Sequence, residues 1–158
     1  MMNGGIIYME LLDMKSWYNN YEGIPYKHLG DDPKKALDCF NLIKYIYLKE
    51  LNIRIPYNTS NFCDCPFEDW YNGLSGAPFS NFNDPQYGWK KNFSKPNIYN
   101  AILISLGSTN CANHCAIYVG NNRILHTMQD IGHSRIAVYG KYYEQYTEGI
   151  YEWVDMPN

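Results

Sequence analysis

The chain has 158 residues, with 13 Lys and Arg against 16 Asp and Glu, which gives a formal charge of −3. This balance argues against a nucleic-acid partner and against a polybasic membrane anchor. The length predicts a single domain, 1–158, that can fold without a metal or a disulfide. The longest apolar run, residues 101–106, is too short to cross a bilayer, and no basic segment precedes the apolar residues near the N-terminus. We therefore expect no signal peptide and no membrane insertion, and five free thiols in a reducing cytoplasm.

The first half of the chain predicts helices. Apolar residues at helical spacing predict an amphipathic helix over residues 5–19, which Gly23 and Pro25 bring to an end. Residues 28–37 predict a loop or a short turn.

The strongest helical pattern covers residues 38–51. Asp38 is suited to the N-cap, and Asn52 followed by Pro56 ends the pattern. The stripe that we expect to face the core consists of Cys39, Leu42, Ile43, Ile46, Tyr47 and Glu50.

Residues 57–98 predict a long irregular insertion, rich in aromatic residues and interrupted by Pro and Gly, without a period of 2 or 3.6. It either wraps the core and buries its own aromatic side chains, or lines a groove and docks onto partners.

The second half of the chain predicts β-strands. A hairpin signal, Gly120-Asn121-Asn122, separates two of them. The predicted strands are 101–106, 114–119, 123–128, 136–139 and 150–154. Helices followed by an antiparallel sheet predict an α+β fold.

Cys39 is the residue that points most directly to chemistry. In the first helical turn, the helix dipole and the unpaired amides stabilise a thiolate, and the amides can also donate to an oxyanion. The same position suits an inert buried cysteine. A cysteine nucleophile needs a base that is itself oriented, and His114 and His126 lie in adjacent predicted strands. His28 and His133 are better explained as surface or satisfied side chains.

The two strand histidines meet only in one register. A three-residue loop, 120–122, puts His126 opposite Ala116 and diagonal to His114 on the same sheet face. A two-residue loop would put His126 on the opposite face. The pairing of the imidazoles therefore requires the longer loop, in which an Asn supplies the left-handed residue.

A zinc site is the competing interpretation of the polar residues. Its potential ligands are Cys63, Cys65, Cys111, His114 and Cys115. These residues lack the paired Cys-x-x-Cys spacing of common zinc sites, and Cys115 should point away from His114 along a strand. We expect no metal and no cofactor.

Three segments, in order, resemble the NlpC-type cell-wall cysteine peptidases, a circularised papain-like family. They are Gly23-Ile-Pro-Tyr26 with Asp38-Cys39-Phe-Asn-Leu-Ile43, then Asn113-His114-Cys-Ala-Ile-Tyr-Val-Gly120, then Ile124-Leu125-His126. A narrower resemblance, to the peptidase domain of phage tail-tip proteins of the tail-assembly protein K type, rests on Trp17, residues 50–56, Asn113-His114-Cys115, Ser134-Arg135 and Tyr139-Gly140.

The resemblance implies roles by position. Cys39 is the nucleophile, His114 the general base, and His126 orients His114. Tyr26 and Asp38 belong to the substrate and oxyanion region. Asn41 stands where the family has a small residue, and we expect it to narrow the groove.

The function implied is a peptidoglycan endopeptidase of a phage tail tip or baseplate that cleaves stem peptides, typically between D-glutamate and diaminopimelate. It would be made in the host cytoplasm without a signal peptide, reside in the virion and contact tail proteins. The alternatives are a catalytically inactive structural component of the tail tip, and a zinc-binding structural module. A cellular wall-remodelling enzyme is disfavoured by the missing signal peptide.

Overall fold

A computed structural model describes residues 16–61, 63–74, 78–107 and 111–157. Most of the helix predicted over residues 5–19 lies outside the described residues; its end coincides with a 3₁₀ helix, Trp17–Tyr21. Among the described residues, none of the helices has both the length and the apolar character that a bilayer crossing needs.

The described residues form short helices and a mainly antiparallel sheet. The α-helices are α1 (Cys39–Leu51), α2 (Phe67–Asn72) and α3 (Lys141–Gln145). The strands are β1 (Asp31–Asp32), β2 (Ala36–Leu37), β3 (Trp89–Lys91), β4 (Ala101–Ile104), β5 (His114–Gly120), β6 (Arg123–His126), β7 (Arg135–Val138) and β8 (Thr147–Trp153). The main sheet has the order β3-β8-β4-β5-β6-β7, and β1 pairs with β2 separately. The predicted α+β fold is confirmed.

Helix α1 has the predicted boundaries for the predicted reasons. The Asp38 side chain accepts a hydrogen bond of 2.8 Å from the Asn41 N–H at the start of the helix. Asn52 ends the helix in the left-handed conformation, at φ 53°. The buried residues are Cys39, Phe40, Asn41, Leu42, Ile43, Ile46 and Tyr47, which include most of the expected stripe. The buried face packs against β5, so the first turn of α1 lies beside the central sheet.

The two faces of the sheet separate neighbouring residues of β5. Cys115 belongs to the buried cluster on the α1 side, which also contains Cys39. Ala116 belongs to a second cluster on the other face, with Ile104 and Ile124. Because side chains alternate along a strand, His114 shares the face of Ala116, and the prediction that Cys115 points away from His114 is confirmed.

The β5–β6 hairpin corrects one prediction and confirms another. The loop has two residues, Asn121 and Asn122, both left-handed with φ of 50° and 59°, and Gly120 pairs with Arg123. The predicted three-residue loop was therefore wrong. An irregularity between Tyr118 and Gly120 adds one residue to β5, so the pairing beyond it becomes Ile117 with Leu125.

This register, continued by one residue, puts His126 opposite Ala116 and diagonal to His114, as expected. The bulge thus produces the register that we had expected from a longer loop. Gly120 has φ 92°, the conformation that favours glycine in bulges next to tight turns.

The segment 57–98 is more regular than predicted. It contains α2 and also β3, which pairs with β8 at the edge of the main sheet. Six residues of helix and three of strand are too short to produce a clear period in the sequence. Among the described residues of this segment, the buried aromatic side chains are Tyr57, Trp70, Phe79, Phe82 and Trp89, which supports the interpretation that the segment wraps the core.

Candidate active site

A cleft of about 310 Å³ brings together residues from distant parts of the sequence. Cys39, at the start of α1, and His114, at the start of β5, both line it. Residues 67–71 of α2 supply an aromatic wall, made by Phe67, Trp70 and Tyr71. Two of the three residues proposed for catalysis thus face the same cavity, and the insertion both wraps the core and contributes to the groove.

Cys39 is held at the N-terminal end of α1 with its side chain 7% exposed. Its N–H belongs to the first turn, where amides have no acceptor within the helix, so it can donate to an oxyanion formed beside the sulfur. The fully buried Cys115 of β5 belongs to the same hydrophobic cluster as Cys39. The nucleophile candidate is therefore packed between the start of α1 and the central sheet.

His114 and His126 form a direct pair. His114 Nε2 lies 2.9 Å from His126 Nδ1, and the ring centroids are 5.1 Å apart. When the Nε2–H of His114 donates to His126 Nδ1, the other ring nitrogen, His114 Nδ1, keeps its lone pair and can accept a proton. This is the arrangement that an oriented general base requires.

Burial keeps both imidazoles neutral. It holds the pKa of His114 well below its usual value, and the adjacent His126 lowers it further. Burial, followed by the positive charge of Arg135, lowers the pKa of His126 to about 4. At neutral pH, His114 is consequently in the form that can accept a proton from a thiol.

Asn113 fixes the backbone immediately before His114. Its Oδ1 accepts from the Leu106 N–H at 2.8 Å, and its Nδ2 donates to the carbonyls of Tyr71 at 2.9 Å and Leu106 at 3.0 Å. Its own carbonyl accepts from the Trp70 indole N–H at 3.2 Å. The sequence analysis named Asn113 only as part of the motif that contains His114, and nothing in the sequence indicated this structural role.

Tyr26 lines the cleft from a segment that is held on both sides. Its N–H donates to the Gly132 carbonyl at 2.9 Å, and it forms a bridge with Leu37. Burial raises the pKa of the Tyr26 hydroxyl, and the neighbouring Cys39 and Asp38 raise it further. The phenol is therefore protonated at neutral pH and can donate a hydrogen bond towards the reacting centre.

Asp38 has both of the roles that the sequence predicted for it separately, as a helix cap and as part of the substrate region. It is the N-cap of α1 and it also lines the cleft. Burial raises the pKa of its carboxyl to about 7, although the hydrogen bond from the Asn41 N–H opposes the shift. The carboxyl therefore changes its charge close to neutral pH, one residue from Cys39.

The sequence profile of the NlpC/P60 family matches residues 23–152, a range that includes Tyr26, Cys39, His114 and His126. The chain belongs to the NlpC/P60 family. Members of this family are cysteine peptidases.

Two solved structures share this fold. One is the NlpC/p60 domain of the peptidoglycan hydrolase SagA, with a TM-score of 0.52 and 18% identity over 96% of this chain and 99% of the other. The second is an NLP/P60 protein similar to a lipoprotein from Staphylococcus aureus, with a TM-score of 0.50 and 20% identity over 86% of this chain and 38% of the other. No curated protein gives a significant sequence match.

Asn41 does not narrow the groove of this NlpC/P60 chain, and that expectation was wrong. Its side chain is buried, and its Nδ2 donates to the Gly30 carbonyl at 2.8 Å. It lines a second cavity of about 180 Å³, together with Lys44 and Arg54. In α1, positions 39 and 41 are about 200° apart around the helix axis, so Asn41 points away from the cleft.

The potential zinc ligands do not converge. Over the described ranges, no group of three or more His, Cys, Asp or Glu side chains is arranged to hold a metal ion. His114 bonds to His126, while Cys115 points to the other face of the sheet. Of the histidines assigned no role, His28 lines the cleft with its Nε2 2.6 Å from the Cys65 carbonyl, and His133 Nδ1 lies 3.0 Å from the Ser134 carbonyl.

Proposed function

We propose that this chain is a peptidoglycan endopeptidase that hydrolyses an amide bond of the stem peptide through Cys39. The observation that carries the proposal is the presence of Cys39 and His114 in one cleft, with His126 Nδ1 2.9 Å behind His114 Nε2. A nucleophile, a base and a group that orients the base are the components of cysteine acyl transfer. Membership of the NlpC/P60 family supports the cell wall as the target.

The chemistry uses Cys39 as the nucleophile and the neutral imidazole of His114 as the base. The Cys39 sulfur attacks the amide carbonyl while its proton moves to Nδ1 of His114. The Cys39 N–H and the Tyr26 hydroxyl donate to the oxyanion. His114 then gives the proton to the leaving amine, which departs and leaves a thioester on Cys39. A water molecule, deprotonated by His114, hydrolyses the thioester and restores the thiol.

His126 supports this cycle by accepting the hydrogen bond that fixes the tautomer and the orientation of His114. The second histidine does so without a permanent charge, because its pKa is lowered to about 4. At neutral pH its Nδ1 therefore keeps the lone pair that accepts this hydrogen bond.

The charge of the cleft is compatible with a substrate that carries an ammonium group. Asp38 and Asp130 line the described cleft, and its lining contains neither Lys nor Arg. Stem peptides that are not cross-linked carry a free amino group on the diaminopimelate side chain. The bond between D-glutamate and diaminopimelate is accordingly our proposed site of cleavage, with the aromatic side chains of α2 forming one wall of the peptide groove.

A phage tail tip or baseplate is our proposed location, and tail proteins are the proposed partners. The support is the resemblance of residues 50–56 and of the segments around His114 and Ser134 to tail-assembly peptidase domains. An antiserum against the purified chain should label one end of the tail in electron micrographs of purified virions. Labelling of cell envelopes but not of virions would overturn this location without affecting the chemistry.

Digestion of purified sacculi tests the activity. Wild-type protein should release fragments that mass spectrometry identifies by a new D-glutamate carboxyl end and a new diaminopimelate amino end. The Cys39→Ala protein, prepared in parallel, should release none. Intact sacculi after incubation with folded wild-type protein would favour the inactive structural component, and cleavage at another bond would correct the substrate assignment alone.

A further inference from the structure

Cys63 and Cys65 place two sulfur atoms in direct contact outside the proposed catalytic group. Their Sγ atoms are 2.9 Å apart, with the one residue Asp64 between them. A disulfide bond has an S–S distance of about 2.05 Å. The two sulfurs thus need to approach by only about 0.9 Å to reach bonding distance.

The backbone around this pair is held on both sides. The Cys63 N–H donates to the Thr59 carbonyl at 3.1 Å. The Cys65 carbonyl lies 2.6 Å from His28 Nε2, and the His28 ring meets the edges of Phe67 and Trp70 at centroid distances of 5.7 Å and 6.0 Å. The fold of this segment, which lies beside the cleft, therefore holds the two sulfur atoms close together.

The two thiols differ in accessibility. Cys63 is 8% exposed, whereas Cys65 is only partly buried. A reagent from solution consequently reaches Cys65 first, and Cys63 is positioned behind it to complete a second step. This is the division between an attacking and a resolving cysteine.

We propose that Cys63 and Cys65 form a redox-active dithiol that low-molecular-weight disulfides convert to an intrachain disulfide. In the first step, the Cys65 sulfur attacks one sulfur of the small disulfide, a mixed disulfide forms, and one small thiol leaves. In the second step, the Cys63 sulfur attacks Cys65, and the second small thiol leaves. In total the protein loses two protons and two electrons, and the small disulfide gains both as it becomes two thiols.

The order of the steps agrees with the electrostatics. Burial raises the pKa of Cys63 to about 12, with contributions from the Cys65 thiol and from the negative charges of Asp64 and Asp69. Cys63 is therefore the poorer initial nucleophile, and it reacts only once the mixed disulfide lies against it.

Peptide mapping after exposure to oxidised glutathione tests this inference independently of any hydrolase activity. The protein is reduced, freed of reductant, exposed to oxidised glutathione, treated with iodoacetamide and digested with trypsin. Cleavage after Arg54 and Lys90 gives a peptide, 55–90, whose only cysteines are Cys63 and Cys65. We expect this peptide to be unalkylated and lighter by two hydrogen atoms than its reduced form, and to recover both thiols with dithiothreitol.

Single variants identify the order. Cys63→Ser should accumulate a lasting glutathione adduct on Cys65, and Cys65→Ser should react little at Cys63. Cys111→Ser, whose change lies on another tryptic peptide, should leave the oxidation of peptide 55–90 unchanged. A wild-type peptide with both cysteines alkylated, or with a persistent glutathione adduct on Cys65, would overturn the proposal.

Discussion

Replacement of Asn113 by Ala tests how the structure positions His114. The substitution removes three side-chain hydrogen bonds, those with the Leu106 N–H, the Leu106 carbonyl and the Tyr71 carbonyl. Each net contribution is about 0.5–1.5 kcal/mol, so their loss should lower the free energy of unfolding by ~3 kcal/mol. Because Asn113 is buried, water cannot replace these partners without rearrangement. The rate of stem-peptide cleavage should fall as well, since His114 is the next residue.

Urea denaturation monitored by tryptophan fluorescence measures the change in stability, and product release from a defined stem peptide measures kcat/KM. Asn72→Ala is the matched control, because Asn72 is exposed and its side chain donates one bond, to the Glu68 carbonyl. We expect the control to change stability by less than ~0.5 kcal/mol and to leave the rate unchanged. An Asn113→Ala protein as stable and as active as the control would refute the positioning role.

Three further substitutions test the site. Asp38→Asn keeps an acceptor for the Asn41 N–H but cannot ionise. In the wild type, the folded pKa of Asp38 is raised to about 7, so the free energy of unfolding should fall as pH rises from about 4 to about 7. Urea titrations should therefore show the Asp38→Asn protein gaining stability relative to wild type with rising pH, by up to ~4 kcal/mol. His126→Leu should lower kcat/KM by roughly 10²-fold or more, whereas His126→Asn, which retains an acceptor for His114, should recover most of it. Tyr26→Phe should lower kcat by roughly 10²-fold with little change in KM if the hydroxyl serves the oxyanion.

The parts of the site that depend on local signals were predictable from the sequence. The apolar stripe and the cap at Asp38 located α1, and a cysteine in its first turn suggested the nucleophile that we propose. The strand containing His114 was recognisable from the hairpin signal that follows it, Gly120-Asn121-Asn122. These signals act over a few residues, so composition and spacing are sufficient to reveal them.

The parts that depend on long-range packing were not predictable. The face of the sheet on which His126 lies depends on a bulge next to Gly120. No local sequence pattern distinguishes this bulge from a longer loop. The role of Asn113 rests on a bond to the Tyr71 carbonyl, 42 residues away. The orientation of Asn41 away from the cleft follows from α1 geometry that a motif comparison ignores.

The initial rate of stem-peptide cleavage, measured in four single variants, tests the central claim most directly. Cys39→Ala and His114→Ala should each abolish detectable cleavage while remaining folded. Cys111→Ala and His133→Ala, which replace the same residue types outside the proposed catalytic group, should retain the wild-type rate. Cleavage by Cys39→Ala at the rate of Cys111→Ala would contradict the assignment of the nucleophile, and with it the proposed mechanism.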